Sequence, residues 1–317
     1  MLTELKAAAG GVKSYMPFLP FFGSYRGTGG SDSSRYCYSV WLRHLTLIGE
    51  AGLPGPMDSI VELGPGDSLG VGIAALLTGA KRYIALDVVP HADTQTNLAV
   101  FDSLVELFQR REPIPGDSEL PGVHPRLPDY AFPIRHLNPD LLRETLAPGR
   151  LARIRASIAG AGSGQPESMI RYVCPWYEDS LAEAGTVDVI LSQVALQDIE
   201  ELDHAYGIMT KWLKPRGVMS HQIDFSFPGS DTYWNEHWAY PDFLWKITRG
   251  KRPFYFNRAP FSKYLEVTER HGHAIRQTLP VEDRRSLPRT NANARFRHLS
   301  ERDFATSSAY ILSTNGD

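Results

Sequence analysis

The sequence predicts an alternating α/β protein built on a parallel sheet, and three observations predict it. Short apolar runs alternate with stretches whose apolar residues recur at three- and four-residue spacing. The first such run, Ser59-Ile-Val-Glu-Leu63, opens through Gly-Pro-Gly-Asp-Ser-Leu-Gly70 directly into a helical segment. The next run closes on an acid, Asp87. Strand, glycine turn, helix, strand, helix is the signature of a parallel sheet with crossover helices. With 42% hydrophobic and 22% charged residues in 317, the composition is that of a folded globular chain.

The first apolar stretch, Met16-Pro-Phe-Leu-Pro-Phe-Phe22, is short and broken by Pro17 and Pro20. It lacks a small-residue cleavage pattern and reads as an arm packed on the domain, so a soluble, cytoplasmic protein is expected. Gly27-Thr-Gly-Gly-Ser31 follows as a flexible or ligand-closing loop. From Ser33 to Gly49, Tyr38, Trp41, Leu42, Leu45 and Ile48 fall at helical spacing. Gly52 and the Pro54-Gly55-Pro56 cluster end that helix.

After the strand at Ser59–Leu63 and its turn, a helix runs to about Thr78. Tyr83–Asp87 is the second strand. Thr94–Arg111 is a helix with Leu98, Phe101, Leu104, Val105 and Phe108 on one face.

Residues 112–168 interrupt this rhythm. Prolines 113, 115, 121, 125, 128, 133, 139 and 148 surround a helical patch near Pro139–Leu146, and Gly160-Ala-Gly-Ser-Gly164 closes the segment. An insertion of this length is functional or mobile rather than core, here a lid or an acceptor wall. The basic run Arg150–Arg155 reads as a solvated helix face, with contact to an acidic substrate such as a nucleotide sugar as the alternative.

Alternation then resumes. Strands are expected at Met169–Val173 and Val187–Leu191, a helix at Asp198–Leu213 and a strand at Gly217–Phe225. An aromatic stretch, Phe227–Phe261, leads to a helix at Ser262–His271 and a strand near His273–Leu279. A final helix starts at Ser300, where Ser300 and Asp303 form a capping box with Asp in place of Glu. Ala309–Ser313 is the last strand.

Charge and cysteine content exclude several classes. Thirty-three basic against 36 acidic residues give a net charge of −3, without the electrostatic footprint of a nucleic-acid binder. No Asn/Asp-Pro-Pro-Tyr/Phe motif of nucleic-acid methylation occurs. Two cysteines, Cys37 and Cys174, make neither a disulfide framework nor a zinc array. No apolar run reaches the roughly 18 residues of a membrane span.

Glycine is needed where a strand turns sharply into a helix and where backbone amides approach a ligand. Asp87 stands about 20 residues beyond Gly64, the spacing at which an acid meets ribose hydroxyls in nucleoside-binding folds. A ligand-free tight turn with a solvated acid is the plainer alternative.

Glu62-Leu-Gly-Pro-Gly66 resembles motif I of the class I S-adenosylmethionine-dependent methyltransferases, and Ala85-Leu-Asp87 is similar to their ribose-binding acidic motif. Val187-Asp-Val-Ile-Leu-Ser-Gln193 resembles their fourth strand. Trp212-Leu-Lys-Pro-Arg-Gly217 resembles the turn before their fifth, and Ser308-Ala-Tyr-Ile-Leu312 fits their last. The motifs occur in order from residue 58 to about 225. The departures are Ser68 for the third glycine, Gln197-Asp198 where Glu-His is common, and Arg216 for the first glycine of the turn before the fifth strand.

The resemblance implies a Rossmann-like, seven-stranded, mostly parallel sheet with helices on both faces and an antiparallel last strand. This domain would span 58–317 with its insertion at 112–168, behind an N-terminal helical arm, 1–57, that covers the cofactor. It implies S-adenosyl-L-methionine as cofactor, bound by Glu62, Gly64, Pro65, Gly66, Ser68, Asp87, Val88, Ser192 and Gln193. In that scheme Gly64 and Gly66 pass under the amino-acid part and Glu62 holds its ammonium. Asp87 takes the ribose hydroxyls and Val88 packs near the adenine.

Methyl transfer from a sulfonium asks the protein chiefly to align acceptor and methyl carbon, and a hydroxyl acceptor gains from a general base. Such a base belongs beyond the carboxyl ends of the fourth and fifth strands. The candidates are His221 and Asp224 in Ser220-His-Gln-Ile-Asp-Phe225, and His237 in Trp234-Asn-Glu-His-Trp238. Strand alternation puts His221 and Asp224 on opposite faces unless the strand ends or bends between them. The aromatic stretch around His237 suits a sugar ring, or equally a packed core.

Asp198, His221, Asp224 and His237 are suitable ligand types for a divalent ion, but no tight spacing joins them and no metal is expected. Arg35–His44 together with Ser220–Phe225 loosely resembles bacterial methyltransferases associated with polysaccharide biosynthesis. That implies a small-molecule or glycan-precursor hydroxyl as acceptor, and a homo-oligomer is compatible with it. Two alternatives remain. A nicotinamide-dependent oxidoreductase is disfavoured because Leu69 replaces the last glycine of GxGxxG, and Gly70 comes one place late. A non-catalytic scaffold retaining the fold accords with Gln197-Asp198 and Arg216.

Overall fold

The computed structural model describes residues 11, 14–15, 30–53, 57–161, 168–176, 181–228, 230, 232–252 and 254–316. The arm at Met16–Phe22, most of the loop at 27–31, Pro54–Pro56 and the glycines at 162 and 164 lie outside them.

Helix α1 (Ser34–Glu50) begins where the Ser33 side chain accepts from the Tyr36 amide, and it is buried from Cys37 to Ile48. Strand β1 (Ser59–Leu63) leads through the glycine turn into α2 (Gly70–Leu77). Strand β2 (Arg82–Leu86) follows, then α3 (Thr94–Arg110), capped by Asp93. The insertion contains α4 (Pro139–Thr145), as expected, and α5 (Pro148–Ala159), the helix to which the basic run belongs. In α5, Arg150 does not face solvent as a free cation. Its guanidinium donates to the Leu76 and Ala80 carbonyls at the end of α2, at 2.9 and 2.6 Å.

The second half then supplies β3 (Ile170–Val173), β4 (Val187–Gln193), α6 (Leu202–Trp212), β5 (Leu213–Asp224) and α7 (Asp242–Arg249). It ends with α8 (Phe261–Arg270), β6 (Ala274–Glu282), α9 (Glu301–Ala305) and β7 (Thr306–Thr314). The Ser300–Asp303 capping box forms as expected.

The helix expected over 198–213 starts late, because Leu196–Asp198 first makes a 3₁₀ turn. Arg216 adopts φ +62°, the left-handed conformation a glycine would supply at that turn.

The seven strands form one sheet in the order β3-β2-β1-β4-β5-β7-β6. Pairs β3–β2, β2–β1, β1–β4 and β4–β5 are parallel, whereas β7 runs antiparallel to both β5 and β6. This is the Rossmann-like, mostly parallel arrangement expected from the sequence, with the antiparallel last strand. Ile60, Tyr83, Ala85, Tyr310 and Leu312 join a core with α1–α5, while Val61, Leu63, Ile84, Leu86 and Ile311 join a second core with α6 and α8. Strands buried on both faces explain why β1 reads as a continuous apolar run rather than an alternating one. The carboxyl ends of β1, β2 and β4 therefore meet one crevice, where the order reverses on either side of β1.

Candidate functional site

At that crevice the chain leaves β1 through Gly64 and Gly66, at φ +69° and +73°. Both conformations favour glycine, and Gly64 has a steric reason as well. A β-carbon there would stand 2.6 Å from the Ala195 β-carbon. The Gly64 amide donates to the Leu86 carbonyl at 2.8 Å, tying the turn to the end of β2. Above it opens a cavity of about 1180 Å³. Glu62, Gly64, Pro65, Gly66, Asp87, Val88 and Gln193 all line it.

Ser68 and Ser192 do not line it. The Ser68 hydroxyl donates to the Ser31 carbonyl and accepts from the Gly70 amide. The Ser31 side chain in turn accepts from the Asp67 and Ser68 amides at 2.6 and 3.2 Å. Asn97 accepts from the Leu69 amide at 2.7 Å. The amides from Asp67 to Gly70, leading into α2, are thus satisfied within the protein. Ser192 points to the opposite face of β4 and bonds the His221 ring at 2.8 Å. Alternation along the strand separates it from Gln193.

Among the described residues, Glu62, Asp87 and Asp198 line the cavity without an ion pair, although the His91 charge acts on Asp87. Burial raises Glu62 to about 7, although the Tyr83 hydroxyl donates to it at 2.5 Å and opposes the shift. Burial also raises Asp87, opposed by the amides of Val88 and Val89 that donate to it. Asp198 is raised to about 7, by burial first and then by the charge of Asp224. Removing a carboxylate from water disfavours its charged form, so a cationic ligand would recover what desolvation costs.

Of the expected bases, only Asp224 comes near this group. It does not line the cavity, but its charge acts on Asp198, and its own carboxylate accepts from the Ser226 amide at 2.8 Å. His221 points away from the cavity, because β5 runs unbroken to Asp224 and the two residues take opposite faces. It is buried against Tyr206, and burial lowers its pKa to about 3. His237 is also outside the cavity, enclosed by Phe227, Trp238, Trp245 and Phe256 at ring separations of 5.3–6.0 Å. Burial and then the Arg258 charge hold it well below the ordinary histidine range. The aromatic stretch is a packed core. Among the described residues no group of three or more His, Cys, Asp or Glu side chains is placed to hold a metal ion.

Several lining residues went unrecognised as such. Tyr36 comes from α1, Trp176 from the turn after β3, and Asp198 with His204 from the segment after β4. The rule that ligands collect beyond strand carboxyl ends points to Trp176 and Asp198. No local pattern distinguishes Tyr36 from the other apolar positions of its helix.

Two covers close the cavity. Gly30, Ser31, Ser33 and Tyr36 form one, and Glu119–Val123 of the insertion form the other. Arg43, fully buried in α1, donates to the carbonyls of Pro115, Val123 and Pro125 at 2.9, 2.9 and 2.7 Å. A buried guanidinium spanning three carbonyls fixes this part of the insertion as a wall. Arg35 and Glu119 add a two-point ion pair between the covers.

No protein-family model and no curated protein matches the chain. Among solved structures it is similar to a Galdieria sulphuraria protein provisionally assigned as a sarcosine dimethylglycine methyltransferase. That pair shares 12% identity over 88% of this chain and 86% of the other, with TM-score 0.46. It is also similar to an S-adenosylmethionine-dependent methyltransferase from Mesorhizobium loti, with 13% identity, 90% and 100% coverage and TM-score 0.42. A third similarity is to Haemonchus contortus phosphoethanolamine N-methyltransferase 2 in complex with S-adenosyl-L-methionine, with 10% identity, 92% and 61% coverage and TM-score 0.43. At such identities the functional reading rests on the site. Among the described residues no helix is long and apolar enough to cross a membrane.

Proposed function

We propose that this chain is an S-adenosylmethionine-dependent methyltransferase acting on a hydroxyl of a small molecule, a sugar or glycan precursor. One observation carries the reading: a single cavity gathers two left-handed glycines, the strand-end Asp87, and the carboxyls of Glu62 and Asp198, which make no ion pair among the described residues. The cofactor bears a sulfonium and an ammonium against one carboxylate, so its net positive charge suits that field. A side chain at Gly64 would collide with Ala195, so bare backbone keeps the turn that lines the cavity, along which the amino-acid part would pass.

In this scheme S-adenosylmethionine supplies the methyl group and a neutral leaving sulfur. Glu62 and Gln193 hold the amino-acid end, and Asp87 accepts from the ribose hydroxyls. Val88 and Trp176 flank the base. Asp198 takes the proton of the acceptor hydroxyl, a role suited to a carboxyl near neutral pKa. The walls from α1 and the insertion exclude water.

The nicotinamide reading loses support on physical grounds. A dinucleotide pyrophosphate needs free amides where the glycine turn enters a helix, and Ser31, Asn97 and Ser68 already occupy those from Asp67 to Gly70.

The test is calorimetric titration with S-adenosylmethionine and NADH, followed by mass spectrometry of products from labelled cofactor and a sugar panel. Binding of the sulfonium and a labelled methyl ether are expected. Binding of NADH alone overturns the reading, and cofactor binding without transfer across the panel favours the scaffold.

A further inference from the structure

Gln193 ends β4 beside the glycine turn, since its neighbour Ser192 pairs with Leu63. Its amide is held from behind by a chain of buried groups that no step of the proposed chemistry uses. The Gln193 Nε2 donates to the His124 carbonyl at 2.9 Å, which sets the amide with its oxygen toward α1. There His44 Nε2 lies 3.2 Å from Gln193 Oε1. An amide oxygen only accepts, so His44 carries its proton on Nε2 and presents the Nδ1 lone pair on its other side.

Ser220 of β5 lies 2.7 Å from that Nδ1 and must donate to it, leaving its oxygen to accept from Tyr310 of β7, also at 2.7 Å. The chain therefore has one direction: Tyr310 to Ser220 to His44 to Gln193 to the His124 carbonyl. His44 is fully buried, and burial lowers its pKa to about 4, so the ring stays neutral with one tautomer.

We propose that His44 is a positioning residue that orients the Gln193 amide toward the amino-acid end of the cofactor. The proposal rests on the cofactor assignment above and adds a residue outside the cavity to it. His44 holds the Gln193 oxygen and the His124 carbonyl one N–H, with the Tyr36 hydroxyl as a further partner on the cavity side, so Gln193 presents its polar edge in one orientation. Without His44 the amide can rotate, and the orientation must be restored at each binding event. The three elements joined, α1, β4 and β5, also couple the N-terminal cover to the cavity floor.

The experiment is a double-mutant cycle read by calorimetric titration of the full chain with S-adenosylhomocysteine, beside thermal unfolding of each ligand-free variant. Replacing His44→Phe should weaken binding about tenfold, as expected for loss of one buried hydrogen bond with its orphaned partner. Gln193→Leu should weaken it similarly, and the double variant should be no weaker than either single one. His44→Gln, whose amide nitrogen reaches where Nε2 does, should recover most of the affinity, while His44→Asn should not.

Additive losses in the cycle overturn the proposal, as does wild-type affinity in a folded His44→Phe protein. If His44→Phe does not fold, the contrast between His44→Gln and His44→Asn decides. Equal affinities for those two overturn it. Wild-type protein that binds no adenosyl compound overturns the cofactor assignment and this inference together, whereas additive losses on a wild type that binds overturn this inference alone.

Discussion

Asp224 sits behind Asp198, and its negative charge adds to burial in raising the Asp198 carboxyl to about 7. The cavity-facing member of the pair is thereby set near the pKa at which a general base works best at neutral pH. Asp224 ends β5, and Asp198 ends the 3₁₀ turn after β4, the neighbouring strand.

Replacing Asp198→Asn should lower turnover by roughly 10²–10⁴-fold, the range of a positioned base, and leave cofactor affinity near wild type. In the wild type, kcat/KM should rise with pH through about 7, because the base must be ionised. Asp224→Asn removes the repelling charge, so the rise should move to lower pH. A rate profile that keeps its midpoint in Asp224→Asn counts against the coupling.

Cofactor affinity should itself depend on pH. Glu62 is raised to about 7 in the free protein, and a cation beside it favours the ionised form. Below that pH, binding must expel a proton, so affinity should fall as pH drops from 8 to 6 and level off above. Calorimetry in buffers of different ionisation enthalpy should detect the released proton near pH 7. Glu62→Gln should flatten the dependence.

Gly64→Ala should act on fold and site together. An L-residue at φ +69° costs about 1–2 kcal/mol, and the added carbon meets Ala195 at 2.6 Å. Reduced thermal stability with a loss of cofactor affinity is expected. Gly52→Ala, equally left-handed but with open space around its β-carbon, should cost stability alone.

His237→Phe should leave turnover unchanged. The ring lies among aromatic side chains outside the cavity, its Nδ1 has no hydrogen-bond partner, and phenylalanine fills similar space. A large loss of turnover in a folded variant would restore the imidazole to the chemistry.

Burial patterns along the chain carried the fold. Ser59–Leu63 reads as a strand because both its faces are apolar-packed, and Ser300–Asp303 reads as a cap from two residues. The glycine turn and Asp87 were legible for the same reason, since each is a local requirement of backbone geometry. The basic run was legible as a helix face, but the inward turn of Arg150 was not, because its carbonyl partners at the end of α2 lie 70 and 74 residues away in the chain.

The sequence alone therefore determined the order of the strands and of most helices, the left-handed turn and the acid opposite it, but not α7 within the aromatic stretch. These depend on propensities and periodicities within a few residues of each position. Only the tertiary structure decided which polar side chains share the cavity. It sent His221 and His237 into cores, brought Tyr36 and Trp176 to the walls, and placed Asp198 against Asp224. Whether a histidine is a base or a packing element, and whether an acid titrates near 4 or near 7, is set by burial among residues far away in the chain.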